Sequence, residues 1–519
     1  MVEATCKAGV YLMTNRKLRS KVSITLTLAM MILFSTVSSW AQGNQEVKTL
    51  FGSGAQGQAG IEESPDRQKP PGSDTVRRLR WWNEIMLKAN ARDHARPLNN
   101  LAPEQVGPGR TARAFAIVQI AVFDAVNIIA GRYRGYGAVD VATIGEADSV
   151  IRSASLDAAI AQSAHDTLVE LYKAQKPFFD LQLALDLSTI PDGFAKKIGI
   201  IIGQKTAAAI LADRAKDGSQ HPEPMIPGDY VPKTGPGFWR PDPVPAVPPS
   251  VALGARWREV RPFVLNSSSQ FRIAPPPGLT SVEYTKAFDE VFRLGGENST
   301  ERTADQTIAG IYWGYDGTPF LGTPPRLYNQ ITIEIAEQRG TGAVELARLL
   351  ALINVGMADA GIAAWESKYF YEFWRPVTAI RESDTDGNPN TPDDNNFIPL
   401  GAPLSNLRAD HNITPPFPAY PSGHATFGST LFEILRKFYG TDEISFSFVS
   451  DEFNGVTRDN FGRPRPRVVR TFKSLSHAEE ENGQSRIYLG IHWAFDKTQG
   501  MAQGRKIADY VFANAFLPR

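Results

Sequence analysis

Cysteine is almost missing from this chain. Its 519 residues include one, Cys6, so no intrachain disulfide can form and stability must come from packing. Net charge is missing as well: 55 Lys and Arg offset 55 Asp and Glu, which excludes a global field that would gather nucleic acid or anionic lipid. Any anion site must be local. Histidine is scarce at seven residues, and no Cys/His spacing suits zinc. Strands with alternating apolar and polar residues are few, and no repeat of fixed period occurs. What is present is 42% hydrophobic and 10% aromatic residues, enough to bury a full core in two or three domains.

One long apolar run stands near the N-terminus. The basic NRKLRSK (Asn15 to Lys21) precedes VSITLTLAMMILFSTVSSWA (Val22 to Ala41), closed by the small residues Ser39 and Ala41. This order predicts a secretory signal peptide over 1–41 and an exported protein, secreted or periplasmic, with no membrane attachment after cleavage. An uncleaved anchor is the competing reading, since about 20 residues just span a bilayer. Residues 42–78, rich in Gly, Gln, Ser and Pro, read as a flexible linker. Helical spacing then dominates, as in TARAFAIVQIAVFDAVNIIAG and GFAKKIGIIIGQKTAAAILADRAKDG. The expectation is an all-α chain of two helical bundles. An N-terminal bundle occupies 79–219, a proline-rich connection 220–280, and a C-terminal bundle 281–519, which holds the motifs described next.

Two stretches share one spacing. KTGPGFWRP (Lys233 to Pro241) and KYFYEFWRP (Lys368 to Pro376) each carry a lysine, an arginine seven residues on, and then proline. A helical interior in the second would put Lys368 and Arg375 on one face, about 10 Å apart along the axis, where both could reach one anion. Pro376 disfavours helical geometry at Arg375, which places the arginine at a helix end. A surface pair of Lys368 with Glu372 is the competing reading. In the first stretch, Gly235, Pro236 and Gly237 forbid the helix, so its cations have no reason to share a face.

Two later motifs give the second stretch company. In YPSGHATF (Tyr420 to Phe427), Ser422 stands at an N-cap, and the first turn offers the N–H groups of Gly423 and His424 to an anion. His424 sits in that first turn, close enough to donate or accept a proton at a bound anion; an ordinary capped helix with a surface histidine is the competing reading. In SRIYLGIHWAFD (Ser485 to Asp496), Asp496 follows His492 by four residues and can accept from one ring nitrogen, leaving the other free as nucleophile or metal ligand. Arg486 adds a third cation with a planar fork suited to an oxyanion. A continuous helix would turn Arg486 about 120° away from His492, so a break is expected near Gly490.

In this order the three motifs resemble the shared signature of the type 2 phosphatidic-acid-phosphatase-like acid phosphatases and the vanadium-dependent haloperoxidases. FPAYPSGHATFG and YEFWRP look like the chloroperoxidase-like branch of the latter. Trp365 and Phe417 match that branch's aromatic positions on the halide side, and YWGYDGTPFLGTPPRLYNQI places Asp316 as partner of Arg486. The 60 residues between His424 and Ser485 also exceed the gap of compact phosphatases. The resemblance implies vanadate as cofactor, its oxygens held by Lys368, Arg375, Ser422, the Gly423 N–H and Arg486, and its metal by His492, with Asp496 behind. It also implies that His424 takes a proton from hydrogen peroxide while Lys368 polarises it. Halide, chloride or bromide, would be oxidised to hypohalous acid, which reaches small organic acceptors. The alternative implied by the same motifs is a secreted acid phosphatase acting on phosphomonoesters, with His492 forming a phosphohistidine and His424 protonating the leaving alcohol.

Other signals lead nowhere. DTDGNPNTPDD (Asp384 to Asp394) reads as a polar turn without EF-hand spacing, and GIIIGQKT lacks the adjacent Gly-Lys of a phosphate loop. His94, His165, His221, His411 and His477 have no motif context.

Overall fold

A computed structural model describes residues 70–95, 99–137, 139–244 and 251–519. The signal peptide expected at 1–41 and most of the linker expected at 42–78 lie outside the described residues. Helix α1 (Thr75–Asp93) begins inside that linker range, because the Asp74 carboxylate accepts the Arg77 N–H at 2.9 Å and caps it.

Five more helices follow before the proline-rich crossing: α2 (Pro108–Ala130), α3 (Asp148–Arg152), α4 (Leu156–Leu171), α5 (Lys176–Ser188) and α6 (Phe194–Arg214). After it come α7 (Val282–Leu294), α8 (Ala304–Tyr312), α9 (Pro324–Gln338), α10 (Ala343–Tyr371), α11 (Pro376–Arg381), α12 (Gly423–Tyr439), α13 (Leu475–Tyr488) and α14 (Ala494–Asn514). The architecture is helical, as expected. Among the described residues the exception is an antiparallel hairpin, β1 (Phe446–Asn454) and β2 (Arg467–Phe472), which pairs Phe446 with Phe472 and has an irregular register between Val449 and Asn454.

Helices α2 and α10 form the centre. Each is long and apolar enough to cross a bilayer, yet their apolar stretches are 89% and 100% buried inside the protein, where they pack against each other. Burying side chains all round a helix in this way requires neighbours on every side. The crossing segment supplies some of them. Asp359, fully buried in α10, accepts the consecutive N–H groups of Phe263, Val264 and Leu265 at 2.6, 2.8 and 2.9 Å. A carboxylate bound this way staples irregular backbone to the central helix, since each charge-assisted bond is stronger than a neutral one.

Helix α14 lies tightly against α12. A Cβ on Gly504 would meet the Thr426 carbonyl oxygen at 2.3 Å, so only glycine permits this approach. The consequence is positional: the start of α14, with Asp496 in its first turn and His492 just before it, is brought against the start of α12, where the Ser422 N–H donates to the Asp496 carbonyl at 3.0 Å.

Candidate active site

Four chain segments meet here: the C-terminal end of α10, the N-terminus of α12, the turn between α13 and α14, and the loop after α8. Helix α10 stops at Tyr371, because Glu372 takes a left-handed conformation (φ 50°) and its N–H returns to the Lys368 carbonyl at 2.8 Å. Arg375 lies beyond, extended at φ −84° and ψ 154° as the N-cap of α11, the geometry that the following proline requires. The expectation that Lys368 and Arg375 share one helical face is therefore corrected. They converge across a helix end instead.

The surface pair of Lys368 with Glu372 does not form. Glu372 accepts from Tyr230 Oη at 2.6 Å and pairs with Lys233, whereas Lys368 is fully buried. Its Nζ donates to three backbone carbonyls, those of Pro418 and Ala419 at 2.9 Å and that of Pro421 at 2.5 Å. All three protons are thus directed at the loop that leads into Ser422. Burial, together with the nearby Arg375 charge, holds this ammonium well below its ordinary pKa.

Arg375 donates from Nε to the Phe417 carbonyl at 2.9 Å. From Nη1 it donates to the Ile491 carbonyl at 2.8 Å and to His492 Nε2 at 3.0 Å. Its Nη2 is buried without a partner. Burial lowers its pKa to about 9. Arg486 is also buried, and the break expected before His492 is present: α13 ends at Tyr488, Gly490 turns at φ 71°, and α14 starts at Ala494. Arg486 Nη2 donates to Asp316 Oδ1 at 2.6 Å, while its Nε and Nη1 have no partner.

His492 is held by Asp496, whose Oδ2 accepts from Nδ1 at 2.7 Å and also from the Trp493 N–H at 3.1 Å. The proton therefore sits on Nδ1, and the Nε2 lone pair faces Arg375. Burial and the charges of Arg375, Lys368 and Arg486 push His492 well below its ordinary pKa, whereas burial raises Asp496 to about 7. His424 shows the opposite tautomer. Its Nε2 lies 2.7 Å from the Gly314 carbonyl, which can only accept, so the proton is on Nε2 and the Nδ1 lone pair is left free. Burial and the Arg486 charge keep this ring neutral by lowering its pKa.

Ser422 caps α12, its Oγ accepting the Ala425 N–H at 3.4 Å, which leaves the hydroxyl proton for another acceptor. The first-turn N–H groups, Gly423 included, have no carbonyl one turn back within the helix. Trp365 and Phe417 pack against each other beside the cations, with ring centroids 5.0 Å apart and planes tilted by 55°. Lys368 Nζ lies 5.0 Å, and the Arg375 guanidinium 4.9 Å, from the Phe417 centroid. Trp365 also lines a cleft with Gly107, Gly109, Leu253 and Trp257.

The structure thus brings together every residue singled out from the motifs: Lys368, Arg375, Ser422, Gly423, His424, Arg486, His492, Asp496, Asp316, Trp365 and Phe417. Three buried cations face two carboxylates, and three of their N–H donor atoms lack partners. Burying such groups is unfavourable unless an anion completes them, so the donor set suits a tetrahedral oxyanion. Sequence reasoning missed the Gly314 carbonyl and the strand behind it; its proximity to Asp316, two residues on, was the available signal. The remaining histidines stay apart, as with His94, buried with Nε2 accepting the Gly107 N–H at 3.1 Å.

Residues 348–517 match the family described as VCPO second helical-bundle domain. The resemblance to the vanadium-dependent haloperoxidases therefore holds. A vanadium chloroperoxidase of Curvularia inaequalis is 41% identical over 271 residues, an alignment covering 44% of this chain and 44% of that protein. The chain thus matches under half the length of this curated relative. Two solved structures share the fold. One is a bacterial vanadium-dependent iodoperoxidase, with TM-score 0.64, 22% identity, and 86% of this chain and 98% of that one covered. The other is an apo-type bacterial vanadium-dependent chloroperoxidase, with TM-score 0.59, 16% identity, and coverage of 82% and 97%. The matched residues 348–517 contain every residue singled out from the motifs except Asp316, which, like the Gly314 carbonyl, reaches the site from the loop after α8.

Proposed function

We propose that this protein is a vanadium-dependent haloperoxidase that uses hydrogen peroxide to oxidise halide, chloride or bromide, to hypohalous acid. The observation that carries the reading is the set of buried, partnerless donors on Arg375 and Arg486 beside a histidine whose Nε2 lone pair is held ready by Asp496. Arg375, Arg486, the Ser422 hydroxyl and the Gly423 N–H are the groups that would bind vanadate oxygens, and His492 Nε2 the one that would bind the metal. Lys368 joins them by releasing one of its three carbonyls. When bound, vanadate supplies Lewis-acid activation of peroxide for oxygen transfer to halide.

The protein's own residues do the rest. Arg375 would give up its contact with His492 Nε2 and turn toward the oxyanion. His424, neutral and with Nδ1 free, takes the proton of incoming hydrogen peroxide. Asp316 holds Arg486 in place, and Asp496 keeps His492 in the Nδ1–H tautomer. Trp365 and Phe417 present an apolar wall beside the cations, where a weakly hydrated halide approaches.

The test loads purified protein with orthovanadate and measures peroxide-dependent halogenation of a phenol dye with chloride and bromide in parallel. Vanadate-free protein is assayed alongside for phosphate release from p-nitrophenyl phosphate. Vanadate-dependent halogenation is expected. Phosphate release without halogenation would assign the pocket to phosphomonoester hydrolysis instead.

A further inference from the structure

Glu452, on β1, touches none of the groups assigned to the oxyanion, yet it backs the loop that makes two of the site's contacts. The side chain is fully buried. Its Oε1 accepts the Tyr315 N–H at 3.2 Å, and its Oε2 accepts from Ser405 Oγ at 2.5 Å and Arg465 Nη1 at 2.7 Å. A trans peptide is planar, so the Tyr315 N–H and the Gly314 C=O point to opposite sides of one rigid unit. Glu452 sits on one edge of that unit and His424 Nε2 on the other, 2.7 Å from the carbonyl.

The packing leaves this peptide little freedom. A Cβ on residue 314 would stand 2.7 Å from Glu452 Oε1, so the carboxylate rests directly on Gly314. Tyr315 is held at φ 51° by its hydroxyl, which accepts the Asp451 N–H at 2.8 Å and donates to Gln330 at 2.9 Å. The next residue, Asp316, carries Arg486. Negative charge on the N–H edge also polarises the peptide and makes its carbonyl a stronger acceptor.

We propose that Glu452 is a positioning residue for His424, acting through the Gly314–Tyr315 peptide to fix the proton on Nε2 and leave Nδ1 as the base. The proposal rests on His424 being the proton-transfer group of the reading above. A carboxylate kept only to pair with Arg465 would be replaceable together with its partner, because losing both members of a buried pair is tolerated far better than losing one.

The two roles separate in 15N-histidine-labelled, vanadate-free protein, where seven histidines are few enough for His424→Asn to identify the signal. In Glu452→Gln the His424 Nε2–H is expected to exchange at least about tenfold faster and the ring to become a mixture of tautomers. The double variant Glu452→Gln/Arg465→Met should show the same signature while regaining thermal stability, which keeps the test readable if the single variant folds poorly. In loaded enzyme, kcat should fall by about tenfold with KM for peroxide and vanadate affinity within about twofold. A His424 Nε2–H as protected as in the wild type in both variants would overturn the proposal. The resonance needs neither vanadate nor peroxide, so a wild type that failed to halogenate would sink the functional reading and leave this result standing.

Discussion

The two Lys-x6-Arg-Pro stretches lie against each other in the fold and have opposite fates. Their FWRP portions pair as antiparallel backbone: Phe238 bridges Phe373, the Trp239 N–H donates to the Glu372 carbonyl at 2.7 Å, and the Trp374 N–H donates to the Gly237 carbonyl at 3.0 Å. From this common contact the cations diverge. Lys368 and Arg375 turn inward to full burial, while Lys233, more than half exposed, pairs with Glu372, and Arg240 pairs with Glu382 at the surface. The same letters produce a pair of buried cations on one side and a pair of ion bridges on the other. The difference lies in their surroundings. The second stretch begins in the last turn of a 29-residue buried helix and has the N-terminus of α12 packed near it, whereas the first is interrupted by Gly235, Pro236 and Gly237.

Breaking the comparison at its arginines should give the largest effect. Arg375→Ala removes the buried, partnerless donor that the proposal assigns to the oxyanion and is expected to lower halogenation kcat by about 10²–10³-fold, against less than about twofold for Arg240→Ala. Steady-state kinetics on vanadate-loaded variants checks both. The lysines come next. Lys368→Met leaves three carbonyls without their donor and should cost about 3 kcal/mol in denaturant unfolding of the ligand-free protein, whereas Lys233→Met should stay within about 0.5 kcal/mol.

A pH series sharpens the contrast between buried and exposed charge. His424 and His492 have folded pKa values well below the ordinary 6.5, so the unfolded chain takes up protons that the folded one refuses. Their contribution is fully present above pH 6.5 and is lost as pH falls from there toward the folded values. Replacing both with Asn should flatten the decline of Tm below pH 6.5. The smallest effect belongs to the surface pair: Arg240→Gln should lower Tm by about 1 °C or less at 0.1 M salt, and the difference should vanish at 1 M.

The motif residues were legible because their chemistry is local. Ser422 as a cap, Asp496 four residues after His492, and a break at Gly490 arise from backbone geometry within a dozen residues, and the structure has each of them. The mainly helical architecture was legible for the same reason, through apolar spacing, whereas the β1–β2 hairpin was not foreseen. What escaped depends on pairs distant in sequence. Lys368 reaches carbonyls 50 to 53 residues away, and Glu452 supports a peptide 137 residues before it. The shared helical face expected for Lys368 and Arg375 failed on one residue, Glu372, whose left-handed conformation ends the helix early. No propensity predicts that for a glutamate; its contacts with Lys233 and Tyr230 hold it there.

The central claim is that the inward cations of the second stretch, and not those of the first, grip an oxyanion. Calorimetric titration of the ligand-free protein with orthovanadate tests it most directly. One site per chain is expected, displaced by inorganic phosphate, lost in Arg375→Ala and unchanged in Arg240→Ala. Equal binding by the wild type and the Arg375→Ala variant, or equal loss in both variants, would contradict it.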